Sequence, residues 1–127
     1  MIAVGYVLSG LIAATILFLG ARFWLAPATA SAAFGIAGSP PPSTGLTAWL
    51  SVKGTRDIAS GLFVLLLMAN RSPRLLGEFM LIASLIAFGD MATVLRSGGS
   101  KGVAFGIHGF TGMLLVATGV ILIVGAS

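Results

Sequence analysis

The sequence predicts an all-α integral membrane protein built as a four-helix bundle, and three observations carry that expectation. Of its 127 residues, 57% are hydrophobic and only 8% charged, where a soluble domain carries roughly 25%. The mean hydropathy is +1.11. The apolar residues also fall into four runs, each near the ~20 residues that cross a bilayer, divided by polar or proline-bearing breaks. A single domain, residues 1–127, accounts for the whole pattern.

Span 1 is expected over about 2–25, with Arg22 near its far end, Phe23 and Trp24 as an interfacial aromatic pair, and Pro27 as its stop. No positive charge precedes this run, and it is longer than the apolar core of a leader peptide, so it reads as a retained helix. Residues 27–45 are rich in Ala, Ser and Gly and hold Pro40, Pro41 and Pro42. They read as a proline-rich loop, with one short interfacial or re-entrant helix around 31–36.

Span 2 is expected over 46–69 behind a Ser43–Thr44 cap, span 3 over 75–95, and span 4 over 102–124. The tight polar turns 70–74 and 96–101 make these three spans antiparallel neighbours. Side A denotes the face carrying the first and third connections, and side B the face carrying both termini. Arg22, Arg96 and Lys101 fall at side A, Arg71 and Arg74 at side B. Side A is therefore the expected cytoplasmic face, in the cell's inner membrane. Gly102, Gly106, Gly109 and Gly112 in span 4, with Ala83 and Ala87 in span 3, are small enough for neighbouring helices to approach closely.

Composition also excludes several chemistries. With no cysteine there is no disulfide, thiolate metal site or dithiol redox pair. One histidine and three carboxylates make a poor metal cage, and no cofactor signature is present, so neither metal nor cofactor is expected. The net charge of +4 is not arranged as a basic run interleaved with aromatics, so nucleic acid is not an expected partner. Membrane lipid and a lipophilic small molecule are.

Lys53, Arg56 and Asp57 crowd into five positions at the head of the oiliest run. Residues three and four apart share a helix face, so all three are expected on one side of span 2. At ~1.5 Å rise per residue, Lys53 and Asp57 lie ~10 and ~16 Å in from side A, Asp90 ~9 Å, and His108 ~10 Å. Arg22 stands at the same side from span 1. Four segments thus bring ionisable groups into one half of the membrane, whereas the other half offers only Glu78, which reads as an interfacial ion pair with Arg74 or Arg71. Charges facing lipid cost several kcal/mol, so these groups are expected to face inward and pair. Asp90 is expected to meet His108 across the seam of spans 3 and 4, with Arg56 and Asp57 pointing into the same space from span 2. Phe63, Phe88 and Phe105 are the expected walls of an apolar cavity beside them.

The string Lys53-Gly54-x-Arg56-Asp57 opening a hydrophobic helix, then Gly89-Asp90 followed by Arg96-Ser97-Gly98, then His108-Gly109, resembles a family of small four-helix membrane proteins. That family is catalogued as a domain of unknown function and is related to the DoxX-like bundles. The resemblance runs from about residue 49 to the C-terminus. It implies a four-helix bundle and brings no activity with it.

Three functions are consistent with the residues. In an intramembrane enzyme, Asp57 and Asp90 tied by the Arg56 guanidinium, with His108, form the catalytic set, while Lys53, Trp49 and Arg22 bind substrate. Such a set suits proton-driven isomerisation, cyclisation or epoxide opening of an oily molecule. In an oligomeric binding or transport protein, the cations receive an anionic or lipid-like headgroup. In a structural subunit, the charges form an ion-pair network holding helices or a partner together.

Overall fold

The computed structural model describes residues 1–38, 41 and 43–127. Among these, all regular structure is helical, and it comprises five helices rather than the four expected. Helix α1 is Ile2–Leu25, α2 is Pro27–Phe34, α3 is Thr44–Ala69, α4 is Pro73–Arg96, and α5 is Lys101–Gly125. The additional one is α2, which turns the first eight residues of the expected 27–45 loop into helix and begins four residues before the short helix anticipated at 31–36. Part of the triple-proline stretch, Ser39, Pro40 and Pro42, lies outside the described residues.

Local chemistry sets each boundary. Ala26, which precedes a proline and is therefore disfavoured in helical geometry, sits at φ −143° and ψ 60°, breaking α1 from α2. Pro27 then opens α2 from its first position, where its missing N–H costs nothing. The helix stops at Gly35, whose φ of 93° suits glycine. As anticipated, Ser43 caps α3: its hydroxyl accepts from the Leu46 N–H at 3.2 Å. Pro73 opens α4 after a turn in which Arg71 takes φ 50°, and Ser100 caps α5 by accepting from the Val103 N–H at 3.3 Å.

Helices α1, α4 and α5 are each long and apolar enough to cross a membrane, which fits an integral membrane protein. Their outward surfaces agree, carrying exposed Val7, Phe18, Ile82, Leu85, Met113 and Val120, far more apolar surface than a monomeric soluble domain tolerates. Helix α3 is longer still, at 26 residues, but holds Lys53, Arg56 and Asp57.

The long helices associate as two tight pairs, α1 with α3 and α4 with α5. Each pair is closed by a glycine-on-glycine crossing. A Cβ on Gly20 would sit 2.8 Å from the Gly54 carbonyl oxygen, and one on Gly77 would sit 2.7 Å from that of Gly119. Such backbone approach is how helices gain packing where lipid removes the hydrophobic drive. Of the small residues expected to serve this purpose, Gly112 lies against Phe88 and Gly109 against Met91, but Gly106 faces open space and Gly102 meets only Ser100.

The pairs meet where Gly5 of α1 receives the Leu122 side chain of α5. The buried core, including Val64, Leu67, Leu76, Met80 and Leu122, fills this end of the molecule, the end of the α3–α4 turn. Toward the other end the pairs diverge, and α2 bridges them: Ser100 N–H donates to the Gly35 carbonyl at 3.3 Å, and Ala37 N–H to the Ser97 hydroxyl at 3.4 Å.

Glu78 pairs with Arg74 at 3.2 Å, with side chains 48% and 77% exposed. An exposed i,i+4 pair contributes about 0.5 kcal/mol or less. Glu78→Gln is therefore expected to leave the melting temperature in detergent, and any ligand binding, within error of wild type. A marked drop in either would place Glu78 in a buried or functional role.

Candidate functional site

Helix α3 carries the charged centre of the site. One turn separates Lys53 from Asp57, and the Lys53 ammonium donates to both Asp57 carboxylate oxygens, at 3.2 and 3.4 Å. The same Nζ reaches across to α4, 3.7 Å from Asp90 Oδ2. Two aromatic faces complete the surround, with the ring centroids of Phe23 and Phe34 each 5.2 Å from Nζ. Asp57 is buried, at 7% exposure. One ammonium thus holds two carboxylates from two helices, while two π-faces supply attraction where water is scarce.

His108 enters from α5. The stretch Ala104–Gly109 is wound as π-helix, a local widening that often accompanies functional side chains. Its Nε2 lies 3.0 Å from the Phe34 carbonyl oxygen. That oxygen can only accept, so Nε2 carries the proton and a neutral ring keeps Nδ1 as an acceptor. The two rings also pack, with centroids 4.7 Å apart and planes inclined at 51°. Phe34 therefore touches both Lys53 and His108, which makes the end of α2 part of the site.

These groups stand at the head of a cavity of about 560 Å³ between α1, α3, α4 and α5. Arg22, Lys53, Asp57, Asp90 and His108 all line it, and most of the remaining lining is aliphatic or aromatic. The hydroxyls of Thr15, Ser60 and Thr111 line it as well. Each donates to a carbonyl of its own helix, Leu11, Arg56 and Ile107 respectively, so their lone pairs remain for a ligand. Leu11 of α1 and Phe110 of α5 line the cavity yet are 62% and 64% exposed. The cavity is thus open sideways between those two helices.

Several expectations need correction. Arg56 is exposed and does not line the cavity; Lys53 takes the role expected of its guanidinium. Within the cluster one ammonium serves two acids. Trp49 is 74% exposed and walls nothing. Phe63, Phe88 and Phe105 are not walls either. Phe88 packs on Gly112, Phe105 is exposed, and Phe63 only stacks on the lining residue Phe79 at 5.3 Å. The rings that do line the space are Phe23, Phe34, Phe79 and Phe110.

Phe23 and Phe34 went unrecognised in the sequence for different reasons. Phe23 was assigned to an interfacial pair, although Trp24 alone faces outward, where its indole N–H donates to the Thr55 hydroxyl at 3.2 Å. Phe34 falls in the short helix expected around 31–36, but nothing in the Ala- and Ser-rich sequence says which way that helix faces, and α2 ends on it.

No curated protein and no solved structure matches the chain. A family match does extend over residues 13–122, reaching well into α1 and beyond the region from 49 onward that carries the resemblance. The Lys53, Asp57, Asp90 and His108 cluster and nearly the whole cavity lie inside that range, and on this match the chain belongs to the family described as domain of unknown function DUF4267.

Proposed function

We propose that this protein takes a lipophilic small molecule from the bilayer into the cavity and performs acid–base chemistry on its polar end. In this reading α3 is a fourth span, and the four long helices form a membrane bundle with both termini at side B. Helix α2 lies at side A, over the mouth of the cavity. Kinship with the DoxX-like bundles belongs to the same proposal and adds no activity to it.

The observation that carries the reading is the division of the cavity: an apolar body with every ionisable lining residue at one end. A pocket of several hundred Å³ with few convergent polar groups is the usual form of a small-molecule site. Pure helix packing has no need of it, since the glycine crossings already close both helix pairs.

The chemistry follows from Lys53 holding Asp57 and Asp90 together. That ammonium sets a carboxylate from each of two helices at the polar end of one cavity, and two acids held together can divide the roles of proton donor and proton acceptor. Proton donation to an epoxide oxygen or alkene carbon, with proton removal by the second carboxylate or His108 Nδ1, is the logic of epoxide opening, isomerisation or cyclisation. His108 is held for that task by the Phe34 carbonyl.

The test is direct. Protein purified in neutral detergent is expected to carry a lipophilic molecule visible by native mass spectrometry, and to turn over members of a panel of lipophilic epoxides and polyenes. His108→Ala is expected to lower that turnover about a hundredfold, the scale of a lost general acid–base group. A protein that neither retains nor converts any lipophile would overturn the reading.

A further inference from the structure

We propose that the ligand is a single-chain amphiphile with an anionic head, a carboxylate or phosphate, and that Arg22 receives that head. The inference rests on the cavity being a ligand site, as argued above, and names the ligand's class.

The first argument is one of charge. The chain has three acidic residues, and each is committed: Asp57 and Asp90 to Lys53, and Glu78 to Arg74. Among the described residues, Arg22 pairs with none of them. It nevertheless lines the cavity, and its guanidinium stands 6.0 Å from the ring centroid of exposed Phe18. Phe18 lies one turn earlier on α1, so the guanidinium leans back along the helix at the border between the cavity and its lipid-facing side. An arginine in the last turn of an apolar helix, with its fork of donors uncommitted, suits a carboxylate or phosphate by bidentate contact.

The second argument is one of shape. The sideways opening between α1 and α5 is edged by Leu11 and Leu19 on one helix and Ile107 and Phe110 on the other, all exposed and all lining the cavity. Leu8, Ile12 and Leu114 continue this apolar surface inward. A chain can slide in from the bilayer with its head kept beside Arg22. At roughly 30 Å³ per non-hydrogen atom, the share of a water-sized group, the ≈ 560 Å³ cavity holds about nineteen such atoms. That is one long alkyl chain with its head, and far short of a two-chain phospholipid. The reacting part of the molecule then lies where Lys53, Asp57, Asp90 and His108 converge.

Hexadecanoate, hexadecyl phosphate and hexadecanol, radiolabelled, test this on the purified full chain in neutral detergent. Wild type is expected to bind one or both anions about tenfold or more tighter than the alcohol, as a charge-assisted contact implies. Arg22→Gln should bring the anions down to the level of the alcohol and leave alcohol binding unchanged, which also shows that the variant is folded. Arg22→Lys should keep part of the difference. Comparing the two anions decides between carboxylate and phosphate heads. Equal binding of alcohol and anions, or an anion preference that survives Arg22→Gln, overturns the proposal while the cavity reading stands. Displacement of the probe by a two-chain phosphatidic acid as readily as by hexadecanoate overturns it too, making Arg22 an interfacial lipid contact. If none of the three probes binds, the cavity reading falls with it.

Discussion

Gly54→Val is expected to abolish recovery of folded protein from detergent, and Gly54→Ala to lower its melting temperature sharply. A Cβ at Gly54 would lie 2.7 Å from the Gly20 carbonyl oxygen, with Trp24 Cδ1 at 2.9 Å and Phe23 Cβ at 3.0 Å. The nearest of these is backbone, which cannot rotate out of the way, so α3 must lift off α1. Overpacking of this kind costs about 1–3 kcal/mol for one added methyl and more for a branched side chain. Displacement would also draw Lys53, the preceding residue, away from the Phe23 ring. Gly89→Ala is the control. A Cβ at Gly89 meets nothing within 4 Å, and alanine in a helix gains about 0.5–1 kcal/mol over glycine, so that variant should melt no lower than wild type. Equal melting of the Gly54 and Gly89 variants would show that the α1–α3 crossing is not as close as described.

The same glycines explain how far the sequence could be read. The four long helices were legible because apolar runs of bilayer length and polar turns are strong signals. Their starts moved where a cap or proline acted, as when Ser43 started α3 at Thr44 and Pro73 started α4, and the ends of α4 and α5 each fell one residue later, at Arg96 and Gly125. Helix α2 was obscured because Ala- and Ser-rich sequence has no apolar period. For the site, counting residues from side A brought Lys53, Asp90 and His108 to similar depth, with Asp57 about one turn deeper, and the structure sets all four on one cavity. Choosing between Lys53 and Arg56 needed the angular position on α3. At ~100° per residue, Lys53 lies about 40° from Asp57, whereas Arg56 lies about 100° away on the same side. Buried Gly54, Gly61 and Val64 cluster around Asp57, so they mark the inward face and leave Arg56 outside it. That signal was present in the sequence, in the small residues rather than the charged ones. The π-helical winding at His108 had no such signal, since it depends on how α5 packs against α4.

The triple variant Lys53→Met, Asp57→Leu, Asp90→Leu is expected to fold, to melt at or above the wild-type temperature, and to have lost turnover altogether. The contrast with single changes gives the experiment its force. Asp57→Asn leaves Lys53 with only the more distant Asp90 carboxylate, 3.7 Å away, as a charged partner. Of its two short contacts, 3.2 and 3.4 Å, one is kept as a bond to a neutral amide oxygen and the other becomes an NH2 group that cannot accept. Loss of a charged hydrogen bond of this kind costs about 1.5–3 kcal/mol, so the single variant should be less stable as well as inactive. Replacing every member by an apolar residue of similar size strands no charge. In such cases the exchange is often neutral or stabilising by about 1–4 kcal/mol, because desolvating three ions outweighs their attraction. If the ion pairs served only to staple α3 to α4, the apolar staple would serve as well, and the triple variant would keep whatever turnover the wild type has. If they are the reacting end of a ligand site, stability and turnover separate: the fold survives and the chemistry does not. A triple variant that still converts the lipophile at the wild-type rate would return these three residues to a structural role.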